Sequence, residues 1–163
     1  MYKTALIFAL VLCHIPQALS MNLSGRLGIG LSNQVVTGID TLSLKLQRNR
    51  SSAFGGLLGV DSSSDSSTYA LGVKGYRIIY DEPQLNFYSA LSGVFFTYED
   101  ALNDSTESGH QAEATLGTEF SFQGLESVGF SFEFGLGLVK FDGATTVKTI
   151  GHNVLVSAVH FYL

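Results

Sequence analysis

From residue 23 to the C-terminus, apolar side chains recur at every second position, a period of two that no helix can satisfy. Leu23, Gly25, Leu27, Ile29 and Leu31 alternate with Ser24, Arg26, Gly28, Gly30 and Ser32, and Leu42, Leu44 and Leu46 alternate with Ser43, Lys45 and Gln47. Phe54, Gly56, Leu58 and Val60 mark a third segment. Tyr69, Leu71 and Val73 oppose Ala70, Gly72 and Lys74 in a fourth, running from about residue 68 to 80. The fifth, residues 85–98, is apolar on both parities, so its faces stay unassigned. In the sixth, Ala112, Ala114, Leu116, Thr118, Phe120 and Phe122 alternate with Gln111, Glu113, Thr115, Gly117, Glu119 and Ser121. Val128, Phe130, Phe132, Phe134, Leu136 and Leu138 alternate with Gly129, Ser131, Glu133, Gly135 and Gly137 in the seventh, and the last spans about residues 150–163.

The joins between these segments alternate in kind. Short ones occupy residues 49–51, 81–84 and 123–127, and longer or more polar ones occupy 33–40, 61–67, 99–109 and 142–149. An all-β, eight-stranded antiparallel up-and-down barrel produces this pattern, with both chain termini at the short-turn end.

The N-terminal stretch belongs to a different pattern. Lys3 precedes an apolar run from Ala5 to Cys13, too short to span a bilayer as a helix, and Ala18-Leu19-Ser20 places small residues where a signal peptidase cuts. Residues 1–20 therefore read as a cleaved secretory signal and 21–163 as the barrel. Cleavage removes Cys13, the single cysteine, so no disulfide framework is expected. It also removes Lys3 and no acid, leaving eight bases against 14 acids, a balance that argues against nucleic acid as a partner.

Charge also chooses which face of the barrel is outside. Only 14% of the residues are charged, and the polar parity carries mainly Ser, Gly, Thr and Gln, too little to solvate an outer surface. Small polar residues suit a narrow lumen, while a belt of Leu, Phe and Val suits hydrocarbon, which predicts a transmembrane β-barrel with strands of about 9–11 residues. Closure is required there, because an open edge in lipid leaves backbone groups unpaired. Tyr69, Tyr80, Tyr98, Phe122, Phe141 and Tyr162, near strand ends, are candidates for interfacial girdles. The alternation sends Arg26, Lys45, Lys74, Glu113, Glu119 and Glu133 to the luminal side.

The signal segment, the eight alternating segments, the cysteine-free mature chain and the terminal Val159-x-Phe161-x-Leu163 together resemble small Gram-negative outer-membrane barrels, with the OmpA membrane domain and the OmpX group nearest in plan. The resemblance implies that Val159, Phe161 and Leu163 form the signal read by the barrel-assembly machinery, although Leu163 departs from the usual terminal aromatic. It also implies a luminal network of ion pairs and hydrogen bonds among the six charged residues, a monomer in contact with outer-membrane lipid and lipopolysaccharide, periplasmic termini and extracellular long loops.

Function is less legible. Asp40, Asp61, Asp65, Glu99, Asp100, Asp104, Glu107 and Asp142 make an acidic rim at the long-loop end, opposed mainly by Lys148. No oxygen-ligand spacing of a calcium loop accompanies it. His110 and His152 lie near Ser105, Ser108, Glu107 and Asp104, but no motif organises them into a catalytic relay, and no enzyme activity or cofactor is expected. A structural or surface-interaction role through the acidic loops, with a plugged polar lumen, is the leading expectation. The alternatives are an OmpW-like conduit for small hydrophobic molecules, weakly permitted by inward Val154 and Val156, and a secreted lipocalin-like carrier.

Overall fold

The computed structural model describes residues 23–101, 105–150 and 155–163, so the signal-like segment at 1–20 lies outside the described residues. The chain forms an eight-stranded, antiparallel, closed β-barrel. Its strands are β1 (Leu27–Ser32), β2 (Thr41–Asn49), β3 (Ser52–Ser62), β4 (Ser66–Glu82), β5 (Leu85–Asp100), β6 (Ser105–Phe120) and β7 (Val128–Phe141). The eighth comes in two pieces, β8 (Ala144–Thr149) and β9 (Val156–Tyr162). Both pieces pair with β7, β8 along residues 136–141 and β9 along residues 128–133.

Neighbours in sequence are neighbours in the sheet, and β1 pairs with β9 to close it. In the closing seam Gly28 lies opposite Tyr162 and Gly30 opposite His160. Glycine is needed there for close approach, since a Cβ on Gly30 would collide with the carbonyl oxygen of Val159. At the terminal end the seam is tied by the Arg26 guanidinium, which donates to the Ser127 hydroxyl and to the carbonyls of Tyr162 and Leu163.

The alternation sorts side chains as the period of two demands. Leu31, Leu44, Leu58, Val73, Leu91, Leu116, Phe134 and Phe161 face outward and exposed, and the opposite parity is buried. The ambiguous β5 resolves with Asn86, Tyr88, Ala90, Ser92, Val94 and Phe96 inward and Phe87, Leu91 and Phe95 outward. Its inward face is apolar in places because it meets other side chains inside a narrow barrel rather than water.

Several expectations are corrected. The strands are not a uniform 9–11 residues: β4, β5 and β6 run to 17, 16 and 16. Hairpin pairing continues past the belt, so Glu99, Asp100 and Glu107 lie on strands rather than in a loop. The expected long join at 142–149 is a two-residue turn, with Asp142 (φ 47°) and Gly143 (φ 72°) both left-handed, followed directly by β8. The alternation of long and short joins therefore does not hold, apart from residues 33–40. Leu23 does not continue the outward face of β1, because a turn bends the chain and buries it against Tyr162. Tyr162 and Phe141 also leave the proposed girdle. Tyr162 is on the inward parity, 3% exposed, and Phe141 packs on Phe96 at the barrel mouth, ring centres 5.6 Å apart. At the other end, Glu126 in the β6–β7 connection accepts the Gly124 N–H, which holds its carboxyl below the usual range.

Closure through the β1–β9 seam makes a sharp expectation. Gly30→Ala should lower the urea midpoint of unfolding by the equivalent of about 1–3 kcal/mol, the usual cost of overpacking. An alanine at Gly93, where a Cβ meets nothing within 4 Å, should leave the midpoint unchanged.

Candidate functional site

The barrel interior is built in layers, and its middle is ionic. Two lysines and three glutamates are buried there, Lys45, Lys74, Glu113, Glu119 and Glu133. Lys45 Nζ lies 2.6 Å from Glu119 Oε2, and the second oxygen of that carboxylate accepts the Tyr162 hydroxyl. One layer further in, Lys74 Nζ sits 2.7 Å from both oxygens of Glu133, which also accept the hydroxyls of Tyr88 and Thr115, each at 2.9 Å. The centre of the Tyr76 ring is 4.6 Å from Lys45 Nζ and 5.1 Å from Lys74 Nζ, and the ring meets Tyr88 edge-on. One aromatic ring thus serves both cations.

Such an arrangement meets the condition for burying charge at all. Each ion removed from water costs several kcal/mol, recovered only when the pair is close and its remaining lone pairs and protons are satisfied. Glu119 and Glu133 each have a lysine plus neutral hydroxyl donors, so the carboxylates are bonded on both oxygens. Arg26 does not enter this cluster. Its side chain lies at the terminal rim, bound to main-chain carbonyls and Ser127.

Above the ion pairs, the interior is closed by a segment that sequence reading placed among the outer loops. Residues 33–40 fold into the mouth of the barrel, with Gln34 1% and Val35 0% exposed. Gln34 Oε1 accepts from Lys74 Nζ at 2.7 Å, while its Nε2 donates to Glu113 at 2.6 Å and to Ser92 at 3.1 Å. Gln111 completes the anchor. Its amide nitrogen donates to Glu113 and to the Gln34 carbonyl, and its oxygen accepts the Val36 N–H. Over this polar floor Val35 and Ile39 pack with Leu57, Ala70, Val94, Phe96 and Val139. Gly38 (φ 82°) turns the chain back, donating its N–H to the Val35 carbonyl, and the missing side chain of Gly59 leaves the space that Ile39 Cδ1 fills. The signal for the plug is the apolar Val35, Val36 and Ile39 in a join otherwise polar.

The remaining candidates fall elsewhere. Ser43 and His160 form a buried pair, Oγ to Nε2 at 2.9 Å, but His160 Nδ1 has no partner, so no carboxylate orients the ring as a nucleophilic relay needs. His110 points outward against Phe95, and no hydrogen bond joins it to Ser105 or Ser108 among the described residues. Asp104, His152 and Val154 lie outside the described residues, and Val156 is buried. Asp40, Asp61, Asp65, Glu99 and Asp142 are exposed and Asp100 and Glu107 half-buried, all at the mouth end, with Lys140 and Lys148 on β7 and β8 beside them. Val159 is half-buried, and Phe161 and Leu163 are exposed on the outer face of the seam, 59% and 77%.

Neither a protein-family model nor a curated protein sequence matches this chain.

The buried pair gives a graded test. Glu133→Ala strands Lys74 in the interior and should cost about 3–5 kcal/mol, read as a lower urea midpoint. Replacing both partners together, Lys74→Met with Glu133→Leu, should recover part of that loss, since the pair leaves together while Glu113 loses its nearby cation.

Proposed function

We propose that this protein is an outer-membrane barrel whose role is structural or is exerted through surface contacts made by its acidic mouth, with the lumen closed to solutes. The observation that carries the reading is the inversion of an ordinary globular protein. Leu71, Val73, Leu91, Phe134 and Leu136 are between 59% and 70% exposed around the outside, while lysines and glutamates fill the inside. Water penalises both halves of that arrangement, and hydrocarbon reverses the penalty on the outer one. A secreted carrier would need the opposite disposition, with a polar exterior and an apolar cavity.

Several features support a closed lumen over a conduit. The interior of an eight-stranded barrel has room for little beyond its own side chains. Here the ion pairs, Tyr76, Tyr88 and the inward segment 33–40 occupy its middle and mouth. In this reading the chain termini are periplasmic, the acidic end is extracellular, and residues 1–20 are a signal removed on export. The exposure of Phe161 and Leu163 on the outer face of the closing strand supports their being read by the barrel-assembly machinery, and lipid and lipopolysaccharide are the surrounding partners in this reading. The acidic rim would repel like-charged neighbours or share divalent cations with lipopolysaccharide phosphates.

Fractionation of cells, followed by detergent gels with and without boiling, tests the setting. The expected result is an outer-membrane band whose migration changes on heating, and a soluble product with no heat-dependent shift would overturn it. Planar bilayers test the plug. The native protein should show no conductance steps, and stable unitary currents would overturn the closed-lumen reading in favour of a conduit.

A further inference from the structure

The two ends of the barrel differ in their cations, with Lys140 and Lys148 at the mouth and the arginines at the other end. All four arginines of the chain, Arg26, Arg48, Arg50 and Arg77, lie at the terminal end, and Arg26 is used by the seam. The other three are exposed. Arg48 ends the outward row of β2, at an irregularity between Gln47 and Asn49 that turns the ladder, and Arg50 follows in the β2–β3 turn. Arg77 stands on the outer face of β4 opposite Ser52, the first residue after that turn, and the Ile78 N–H donates to the Ser51 carbonyl. The register thus puts three arginines at one corner, and no acid lies within ion-pairing distance of them among the described residues. Three acids share this end: Asp81 and Glu82 close β4, where Glu82 accepts the Tyr80 hydroxyl, and Glu126 in the β6–β7 connection accepts the Gly124 N–H.

The same corner opens onto a groove in the apolar belt. Arg77 pairs across the sheet with Ser89, and the row beside it runs Phe54, Gly75, Leu91, Ala114 and Leu136. Small residues at Gly75, Ser89 and Ala114 sink the surface between Phe54, Leu116 and Phe134, leaving an elongated depression of about 770 Å³ that reaches Arg77. A Cβ on Gly75 would meet nothing within 4 Å, so the floor of the groove is open outward and is not filled by the protein itself.

An apolar channel that begins at a cluster of unpaired guanidiniums matches one chemical class. We infer that this face is a docking site for an anionic glycerophospholipid, its phosphate held by Arg48, Arg50 and Arg77 and an acyl chain laid in the groove over Gly75 and Ala114. Guanidinium suits the phosphate because its planar fork donates two parallel hydrogen bonds. The inference rests on the membrane reading, and it makes the terminal end of the barrel selective for lipid where the acidic end is not.

The test uses the full mature barrel folded in vesicles of phosphatidylcholine with equal phosphatidylglycerol of the same chains, extracted in mild detergent and weighed intact by native mass spectrometry. Phosphatidylglycerol should be retained at least about tenfold over phosphatidylcholine, and the preference should collapse in 0.5 M salt, which screens exposed charge. R48Q/R50Q/R77Q should abolish the preference without altering heat-modifiable migration. Gly75→Leu, which fills the groove, should lower retention of both lipids. A barrel that inserts but keeps both lipids equally, or whose preference survives the triple variant, overturns the docking site alone. A protein that stays water-soluble and retains no lipid overturns it together with the membrane reading.

Discussion

The buried pairs Lys45–Glu119 and Lys74–Glu133 set the terms for everything around them. In a sheet the side-chain period is two, so a slip of one residue in β2, β4, β6 or β7 would turn these charges outward and bring Leu, Val and Phe inward. An ordinary cross-strand pair contributes only about 0.2–1 kcal/mol, whereas leaving a buried ion unpaired costs roughly 3–5 kcal/mol. The ions therefore discriminate among registers more strongly than the apolar belt does. They also tie β2 to β6 and β4 to β7 across the interior, strands that share no ladder, and in doing so hold the cross-section of the barrel.

The plug depends on the same charges. Gln34 accepts from Lys74 and donates to Glu113, so the inward segment is bonded to the second ion pair and to the third glutamate at once. Its apolar part then seals the mouth against Phe96 and Val139. The result is an interior graded from a tied seam at the terminal end, through ion pairs and tyrosines, to a dry cap. The outer surface is graded too, with the arginines confined to one end and most of the exposed carboxylates at the other. Under the proposed bilayer setting, that polarity gives the two rims different chemistry to present to the two leaflets.

How much of this was readable depended on whether a residue's fate was local. The outward parity of β2, β3, β6 and β7 was legible because Leu44, Leu58, Leu116 and Phe134 alternate strictly with small or polar residues. Lys45, Lys74, Glu113, Glu119 and Glu133 were assignable to the interior by the same count. Their pairing was not, since Lys45 and Glu119 are 74 positions apart and meet only across the barrel. Arg26 shared the inward parity, yet it stands at the rim, where the chain end offers carbonyls. The β5 faces were hidden because a tyrosine or phenylalanine facing inside looks the same in sequence as one facing out. Residues 33–40 are a loop, as their composition indicates, but its inward fold is hidden because Val35 and Ile39 follow no period, and only the cavity they fill gives them a meaning.

The sequence by itself determined the strand period and the sorting of apolar and ionic residues onto opposite faces. These follow from spacing along the chain, which backbone geometry converts directly into sidedness. Tertiary structure alone decided which lysine meets which glutamate, that the last strand is interrupted, that residues 33–40 turn inward, and that Arg48, Arg50 and Arg77 share a corner with a groove. Each of those is set by curvature and closure of the sheet, which bring distant residues together at distances that no local pattern encodes.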